Sequence, residues 1–113
     1  MENNNMIDVT ENIKNEIKSN DVVLFMKGTP ETPQCGFSSQ VVQILNYLGI
    51  EFSSVNVLED ESIRNGIKEY TNWPTIPQLY VKNEFIGGAD IVREMFEENE
   101  LKEFLNEKGI ATN

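Results

Sequence analysis

The chain has 113 residues, of which 39% are hydrophobic and 25% are charged, and its 19 acidic and 9 basic residues give a net charge of −10. This length supports one domain with a buried core, and the negative charge disfavours a nucleic-acid partner. No apolar run approaches the ~18 residues of a membrane span, so no membrane partner is expected. The single cysteine and the absence of histidine exclude an internal disulfide, a Ser-His-Asp triad and histidine-based zinc sites.

The N-terminal residues lack the basic and apolar regions of a secretory signal, and they lack the arginines of a transit peptide. A lone cysteine also suits a reducing compartment. The sequence therefore predicts a bacterial cytoplasm, or a reducing organelle matrix if the source is eukaryotic, and not secretion.

In chain order, residues 1–7 are expected to be disordered, and a capping-box pattern at 8–11 begins a first helix that runs to about Ser19. The continuous apolar run at 22–26 predicts a strand that is covered on both faces of a sheet. The loop at 27–34 contains one glycine and two prolines, which prevent regular structure.

Residues 36–48 show a strong helical period, and Gly49 is well suited to end that helix. A strand at 52–57 and a third helix from about residue 62 to 70 follow. In the first of these helices one face is apolar and consists of Phe37, Val41, Ile44, Leu45 and Leu48. In the second, the residues predicted to face inward are Ile63, Ile67 and Tyr70.

Two short strands, 78–81 and 84–86, are joined through Lys82-Asn83, which predicts a hairpin. Gly87-Gly88 then turns the chain into a last helical region, which Gly109 ends. Two apolar stripes lie in this region: Ile91, Val92, Met95 and Phe96, then Leu101, Phe104 and Leu105.

The predicted order of elements is helix, strand, helix, strand, helix, strand, strand, helix. A βαβ unit followed by a hairpin and a helix gives an α/β fold with a mixed four-stranded sheet and helices on both faces. This is the thioredoxin-like arrangement, predicted as one domain over residues 8–108 with a tail at 109–113. It places Cys35 at the carboxyl end of the first central strand.

Cys35 has the sequence surroundings of a reactive thiol. It lies where a strand–loop–helix unit presents the free N–H groups and partial positive charge of a helix N-terminus, which favour the thiolate. Lys27 adds a positive charge on the other side of the loop. A free cysteine is more often buried and inert, but a polar, proline-rich loop and a glycine flank this one. We therefore predict a reactive cysteine.

Four groups of residues occur in order along the chain: Lys27, Cys35-Gly36-Phe37-Ser38, Trp73-Pro74-Thr75-Ile76-Pro77 and Gly87-Gly88-Ala89-Asp90. Together they resemble the monothiol glutaredoxins of the Cys-Gly-Phe-Ser class, single-domain type, over residues 8–108. The resemblance implies the glutaredoxin version of the thioredoxin-like fold. It also implies that Cys35 is both the catalytic nucleophile and the metal ligand for an iron–sulfur cluster.

The same resemblance implies a glutathione site. Lys27 and Arg64 would bind the glycyl carboxylate. The backbone of Thr75 and Ile76, ahead of a cis-Pro77, would bond the cysteinyl part as an edge strand does. The γ-glutamyl end would be held through helix N-terminal N–H groups and through a carboxylate, by Gly88, Ala89 and Asp90.

Other residues near these motifs have simpler interpretations. Trp73 and Tyr80 are expected to pack in the core or at its rim, and Lys68, four residues after Arg64 on the same helix face, falls outside the family's set. Many members of the class have a second cysteine where this chain has Ala89. Any disulfide of this chain must therefore involve glutathione or a second protein chain.

The resemblance implies a carrier of iron–sulfur clusters. Two Cys35 thiolates and two glutathione thiolates, from two facing subunits, would supply the four sulfur ligands of a [2Fe–2S] cluster. The protein would be a homodimer when loaded and a monomer when empty. It would accept the cluster from a scaffold protein, deliver it to apo-proteins and bind BolA-like proteins.

Two alternatives to the carrier stay open. One is a glutathione-dependent thiol–disulfide oxidoreductase that acts on protein–glutathione mixed disulfides, for which the resemblance implies weak activity. The other is a thioredoxin-like interaction module without chemistry, which the full set of glutathione-site residues disfavours.

Overall fold

The computed structural model describes the backbone of residues 2–113 and the side chains of residues 9–113. Within this range the elements are α1 (Glu2–Ser19), β1 (Val22–Met26), α2 (Gly36–Tyr47), β2 (Ser53–Asn56), α3 (Glu61–Thr71), β3 (Gln78–Val81), β4 (Glu84–Gly87), α4 (Ala89–Glu97) and α5 (Glu100–Glu107). Their types and order are those predicted, except that the last helical region is divided. Asn99, with a φ of 63° in the left-handed region, separates α4 from α5.

The four strands form one mixed sheet in the order β2-β1-β3-β4. β1 pairs in parallel with β2 and antiparallel with β3, which in turn pairs antiparallel with β4. Every residue of β1 is buried, as a central strand covered on both faces requires. The predicted four-stranded mixed sheet with helices on both faces is confirmed.

Alternate residues of β1 point to opposite faces of the sheet. Val22, Leu24 and Met26 join the apolar cluster formed with α2, α4 and α5. Val23 and Phe25 join the cluster formed with α1 and α3. Burial on both sides holds β1, and with it the start of the loop to Cys35, in the centre of the molecule.

Three apolar side chains that belong to the helical stripes are exposed, and for Tyr70 the prediction that it faces inward is wrong. The exposed fractions are 60% for Phe37, 40% for Tyr70 and 37% for Ile91. Phe37 and Ile91 lie in the first turns of α2 and α4, and Tyr70 lies in the last turn of α3. A helical period indicates which face points inward, but it does not indicate how far along the helix the core extends.

At its two ends the chain has structure beyond the predicted domain limits. α1 begins at Glu2, ahead of the predicted start at residues 8–11, and Met1 lies outside the described residues. The Asn113 N–H donates to the Leu48 carbonyl oxygen (2.8 Å), so the last residues lie against the C-terminal end of α2. The domain limits at residues 8 and 108 stay predictions.

None of the described helices is long and apolar enough to cross a membrane.

Candidate functional site

Cys35 lies between β1 and α2 and is the N-cap residue of α2. Its backbone is extended, with φ −151° and ψ 134°, and its side chain is partly exposed. The thiol is therefore accessible at the carboxyl end of the central strand, which is the position predicted from the sequence.

The loop that leads to Cys35 is folded into a small hairpin. The Gln34 N–H donates to the Lys27 carbonyl oxygen (2.9 Å). Gly28 has a φ of 94°, and a Cβ there would lie 2.6 Å from the Thr32 carbonyl oxygen, so this position requires glycine. The hairpin fixes Lys27 and Cys35 relative to each other.

Two side chains tie this hairpin to the rest of the fold. The Ser38 hydroxyl oxygen accepts a hydrogen bond from the Lys27 N–H (3.1 Å), and the Asn56 side-chain oxygen accepts one from the Gly28 N–H (2.9 Å). Ser38 belongs to α2 and Asn56 to β2. The loop is therefore anchored to the helix that follows it and to the neighbouring strand.

The surroundings lower the pKa of the Cys35 thiol below its ordinary value. The largest cause is the Ser38 backbone N–H; the Phe37 N–H, the charge of Lys27 and the Ser38 hydroxyl act in the same direction, while partial burial opposes them. These N–H groups at the start of α2, together with the nearby positive charge, favour the charged form of the sulfur over the neutral thiol. The favoured thiolate is the form that attacks disulfides and binds metals.

A cavity of about 460 Å³ opens beside the Cys35 thiol. Its walls come from the end of β1, from the last part of α3 and the segment that follows it, and from the start of α4. Predicted site residues that line it together with Cys35 are Lys27, Thr75, Ile76, Pro77, Ala89 and Asp90. The Ile76–Pro77 peptide bond is cis, as the resemblance implied. The structure thus brings together most of the residues inferred from the sequence.

Two predicted site residues do not line this cavity. Arg64 is not part of its walls, whereas Lys68, which the family assignment left out, is. Lys68 stands one turn nearer the C-terminal end of α3, where the chain continues towards residues 74–77. Gly88 is the N-cap residue of α4 and lies behind the wall, where a Cβ would be 3.3 Å from the Pro77 carbonyl oxygen.

Further residues near the thiol were missed by the sequence analysis. Phe37 and Pro74 complete the walls of the first cavity. Phe37 and Cys35 also line a second cavity, of about 550 Å³, whose other walls include Arg93, Gln40 and Gln43. The Arg93 Nη1 atom lies 3.3 Å from the Asp90 Oδ1 atom, so the predicted carboxylate already faces a cation. The i, i+3 spacing of this pair was the available signal.

The glutaredoxin family's sequence model matches residues 22–86 of the chain. Probable monothiol glutaredoxin 2 of Rickettsia typhi is 53% identical over 108 residues, which cover 96% of this chain and 94% of that protein. A Synechocystis protein described as an uncharacterized monothiol glutaredoxin ycf64-like is 60% identical over 89 residues, which cover 79% of this chain and 83% of that protein.

A solved structure extends the similarity to three dimensions. The solution structure of a monomeric truncated mutant of Trypanosoma brucei 1-C-Grx1 matches with a TM-score of 0.85 at 46% identity, and the match covers 92% of this chain and 94% of that one. Fold, motifs and identity over most of the length agree. The chain therefore belongs to the glutaredoxin family, and within it to the monothiol glutaredoxins.

Proposed function

We propose that this chain binds glutathione beside Cys35 and, as a homodimer, carries a [2Fe–2S] cluster that it delivers to apo-proteins. The observation that supports this most strongly is one thiol of lowered pKa at the edge of a cationic cavity. Cys35, Lys27 and Lys68 line that cavity together. Glutathione is an anion that carries its own thiol. A protein thiolate next to its binding site would allow the protein and glutathione to bind a metal together.

The cavity offers a complementary group for each end of glutathione. The glycyl end is a carboxylate, and the ammonium groups of Lys27 and Lys68, with Arg64 one turn away on α3, supply positive charge. The γ-glutamyl end carries a carboxylate and an ammonium group. The N–H groups at the start of α4, around Gly88 and Ala89, can bind this carboxylate. The Asp90 carboxylate can bind the ammonium group.

The middle of glutathione would lie along the segment before β3. The cysteinyl part is a short extended peptide, and the backbone of Thr75 and Ile76, which line the cavity, can bond it as the edge of a sheet bonds an added strand. This docking directs the glutathione sulfur towards Cys35, which lines the same cavity. The geometry of the protein thus supports two sulfurs placed side by side.

The cluster is cargo in this proposal, and it requires four sulfur ligands. The chain has one cysteine, and its described part holds no group of three or more His, Cys, Asp or Glu side chains suited to a metal ion. Cys35 and a glutathione sulfur give two ligands per subunit, so two facing subunits complete the set. Loss of the cluster would return the homodimer to monomers.

Exposed and exchangeable ligands suit transfer better than retention. The proposed protein partners are therefore a scaffold that donates the cluster, the apo-proteins that accept it, and a BolA-like protein. The proposed place of action is a bacterial cytoplasm, or a reducing organelle matrix in a eukaryote, because both Cys35 and free glutathione must stay reduced.

A second candidate function is favoured by the lowered pKa and the exposure of Cys35. The Cys35 thiolate would attack the glutathione sulfur of a protein–glutathione disulfide, and the protein thiolate would leave and take up a proton. A second glutathione thiolate would then attack the bound glutathione sulfur, which forms glutathione disulfide and releases the Cys35 thiolate.

Anaerobic reconstitution with iron, sulfide and glutathione tests the carrier function, read by visible absorption and by mass on gel filtration. We expect a coloured dimer that forms only with glutathione and reverts to a colourless monomer on oxidation. A coloured species that needs no glutathione would contradict the proposed ligand set. A colourless monomer that rapidly reduces protein–glutathione disulfides would favour the oxidoreductase.

Charge reversals test the assigned residues. Cys35→Ser should abolish both functions and cannot separate them, whereas Lys27→Glu and Asp90→Lys should weaken glutathione docking and with it cluster binding. Lys102→Glu is a matched control, because Lys102 is exposed on α5 and does not line the cavity. Full cluster loading in both charge-reversal variants of the cavity would contradict the assignment.

A further inference from the structure

The side chain of Gln78, the first residue of β3, is fully buried. Its Nε2 atom lies 3.2 Å from the carbonyl oxygens of Trp73 and Thr75. Its Oε1 atom lies 3.1 Å from the hydroxyl oxygens of Thr71 and Tyr80. A buried amide costs free energy unless it is hydrogen-bonded, and both ends of this one have partners.

The chemistry of the partners decides how the Gln78 amide is oriented. Carbonyl oxygens can only accept, so the NH₂ group must face Trp73 and Thr75. The amide oxygen therefore faces the two hydroxyls. Tyr80 can donate to it, whereas the one proton of the Thr71 hydroxyl also has the Ile67 carbonyl oxygen as an acceptor, at 2.8 Å. Burial raises the pKa of Tyr80, so its hydroxyl keeps its proton and can donate it to Gln78.

The bond to Thr75 also sets the direction of the next backbone N–H. The Thr75–Ile76 bond is trans, since the cis bond of this segment is the following one. In a trans peptide the C=O and the N–H point in opposite directions. Because Gln78 holds the Thr75 carbonyl towards the buried side, the Ile76 N–H of the same peptide points away from Gln78, and both Thr75 and Ile76 line the cavity beside Cys35.

We infer that Gln78 is a positioning residue for glutathione: its amide holds the Trp73 and Thr75 carbonyls so that the Ile76 N–H is presented to the cysteinyl part of the ligand. This inference rests on the proposed glutathione site. Gln78 lines neither cavity at Cys35 and acts only through the segment 73–77. Without the clamp, this segment would have to be ordered at each docking event, at a cost in affinity.

Gln78→Met tests the inference, because methionine has a similar length but cannot donate a hydrogen bond. The rate at which Cys35 forms a mixed disulfide is measured with oxidised glutathione and with 2-hydroxyethyl disulfide. In both reactions the Cys35 thiolate attacks one sulfur, a new S–S bond forms, and the other half leaves as a thiolate. The small disulfide has no peptide to dock, so its rate reports the thiol alone.

The ratio of the glutathione rate to the small-disulfide rate should fall on the order of tenfold in Gln78→Met, the size expected for the loss of one or two hydrogen bonds. Tyr80→Phe is the matched control. It removes a partner from the amide oxygen and lowers stability, but it leaves both carbonyl bonds in place. Its ratio should stay near that of the unaltered protein.

An unchanged ratio in Gln78→Met, or an equal fall of both rates, would overturn the inference. An unaltered protein with no preference for oxidised glutathione would overturn the glutathione site itself, and the inference with it. The two failures are therefore distinguishable.

A measurement on the unaltered protein covers the case in which Gln78→Met does not fold. By NMR, the side-chain amide protons of Gln78 should exchange slowly with solvent, and the Ile76 N–H resonance should shift when oxidised glutathione is added. Fast exchange of the amide protons, or an Ile76 resonance that does not move, would overturn the inference.

Discussion

The hydroxyl oxygen of Ser38 lies 3.1 Å from the backbone nitrogen of Lys27 and accepts its hydrogen bond. Because a hydroxyl has one proton and two lone pairs, the Ser38 proton stays free to point towards the Cys35 sulfur, whose pKa it helps to lower. Ser38 has no exposed surface. One side chain therefore joins the end of β1 to the Cys35 thiol.

Ser38→Ala should act on both contacts. The Lys27 N–H would lose its acceptor, which should lower the free energy of unfolding by about 1–3 kcal/mol in urea titrations. The pKa of Cys35 should rise, as followed by the ultraviolet absorption of the thiolate. Ser39→Ala is the control, because the Ser39 hydroxyl bonds only the exposed Gln43 side chain. An unchanged Cys35 titration in Ser38→Ala would show that the hydroxyl does not act on the sulfur.

The pH dependence of Cys35 alkylation by iodoacetamide should reflect its lowered pKa. The rate should fall as the pH drops through a midpoint below that of an ordinary cysteine. Lys27→Gln should raise this midpoint only in part, because the Ser38 backbone N–H is the larger cause. Lys68→Gln should change it less, since Lys68 lines the cavity but is not among the causes of the shift.

The same titration has a consequence for stability. The folded protein favours the thiolate more than the unfolded chain does, so its pKa is the lower of the two. The stabilisation is therefore fully present above the unfolded pKa and is lost as the pH falls through the folded pKa. Cys35→Ser should remove this component of the pH dependence, measured as urea midpoints across that range. A midpoint of alkylation at the ordinary cysteine value would contradict both expectations.

Lys68 and Arg64 should differ in their effect on glutathione binding. Lys68→Ala should weaken binding by about tenfold, as the loss of a charge-assisted hydrogen bond does, because Lys68 lines the cavity. Arg64→Ala should weaken it less. Calorimetry at low and at high salt measures these affinities. The difference in affinity between the unaltered protein and each variant should become smaller at high salt, since salt screens the charge. The reverse order of effects would favour the assignment made from the sequence.

Gly28→Ala should destabilise the protein by at least about 1 kcal/mol, because alanine is strained at a positive φ. The added Cβ would also lie 2.6 Å from the Gln34 backbone nitrogen and the Thr32 carbonyl oxygen. Gly36→Ala is the matched control, since a Cβ there meets nothing within 4 Å. Chemical denaturation of both variants checks this, and equal stability of the two would contradict the need for glycine in the hairpin.

Local sequence patterns were sufficient to predict the sheet and the position of the Cys35 thiol at the carboxyl end of its central strand. The continuous apolar run of β1 is typical of a strand covered on both faces, and the short strands around Lys82-Asn83 are typical of a hairpin. Burial along each helix was less predictable. Phe37 continues the apolar face of α2, yet it stands in the first turn and forms a wall of both cavities.

Residue types and their order are enough to predict the place of the Cys35 thiol, Lys27 near it and the proline segment, because each of these depends on neighbours in the chain. Contacts between distant elements decide the rest: whether Arg64 or Lys68 reaches the cavity, and which residues of α3 and α4 meet beside Cys35 to form its walls. These depend on how α3, β3 and α4 are placed around one sheet. That placement comes from the burial of apolar surface across the whole molecule, which no single stretch of sequence specifies.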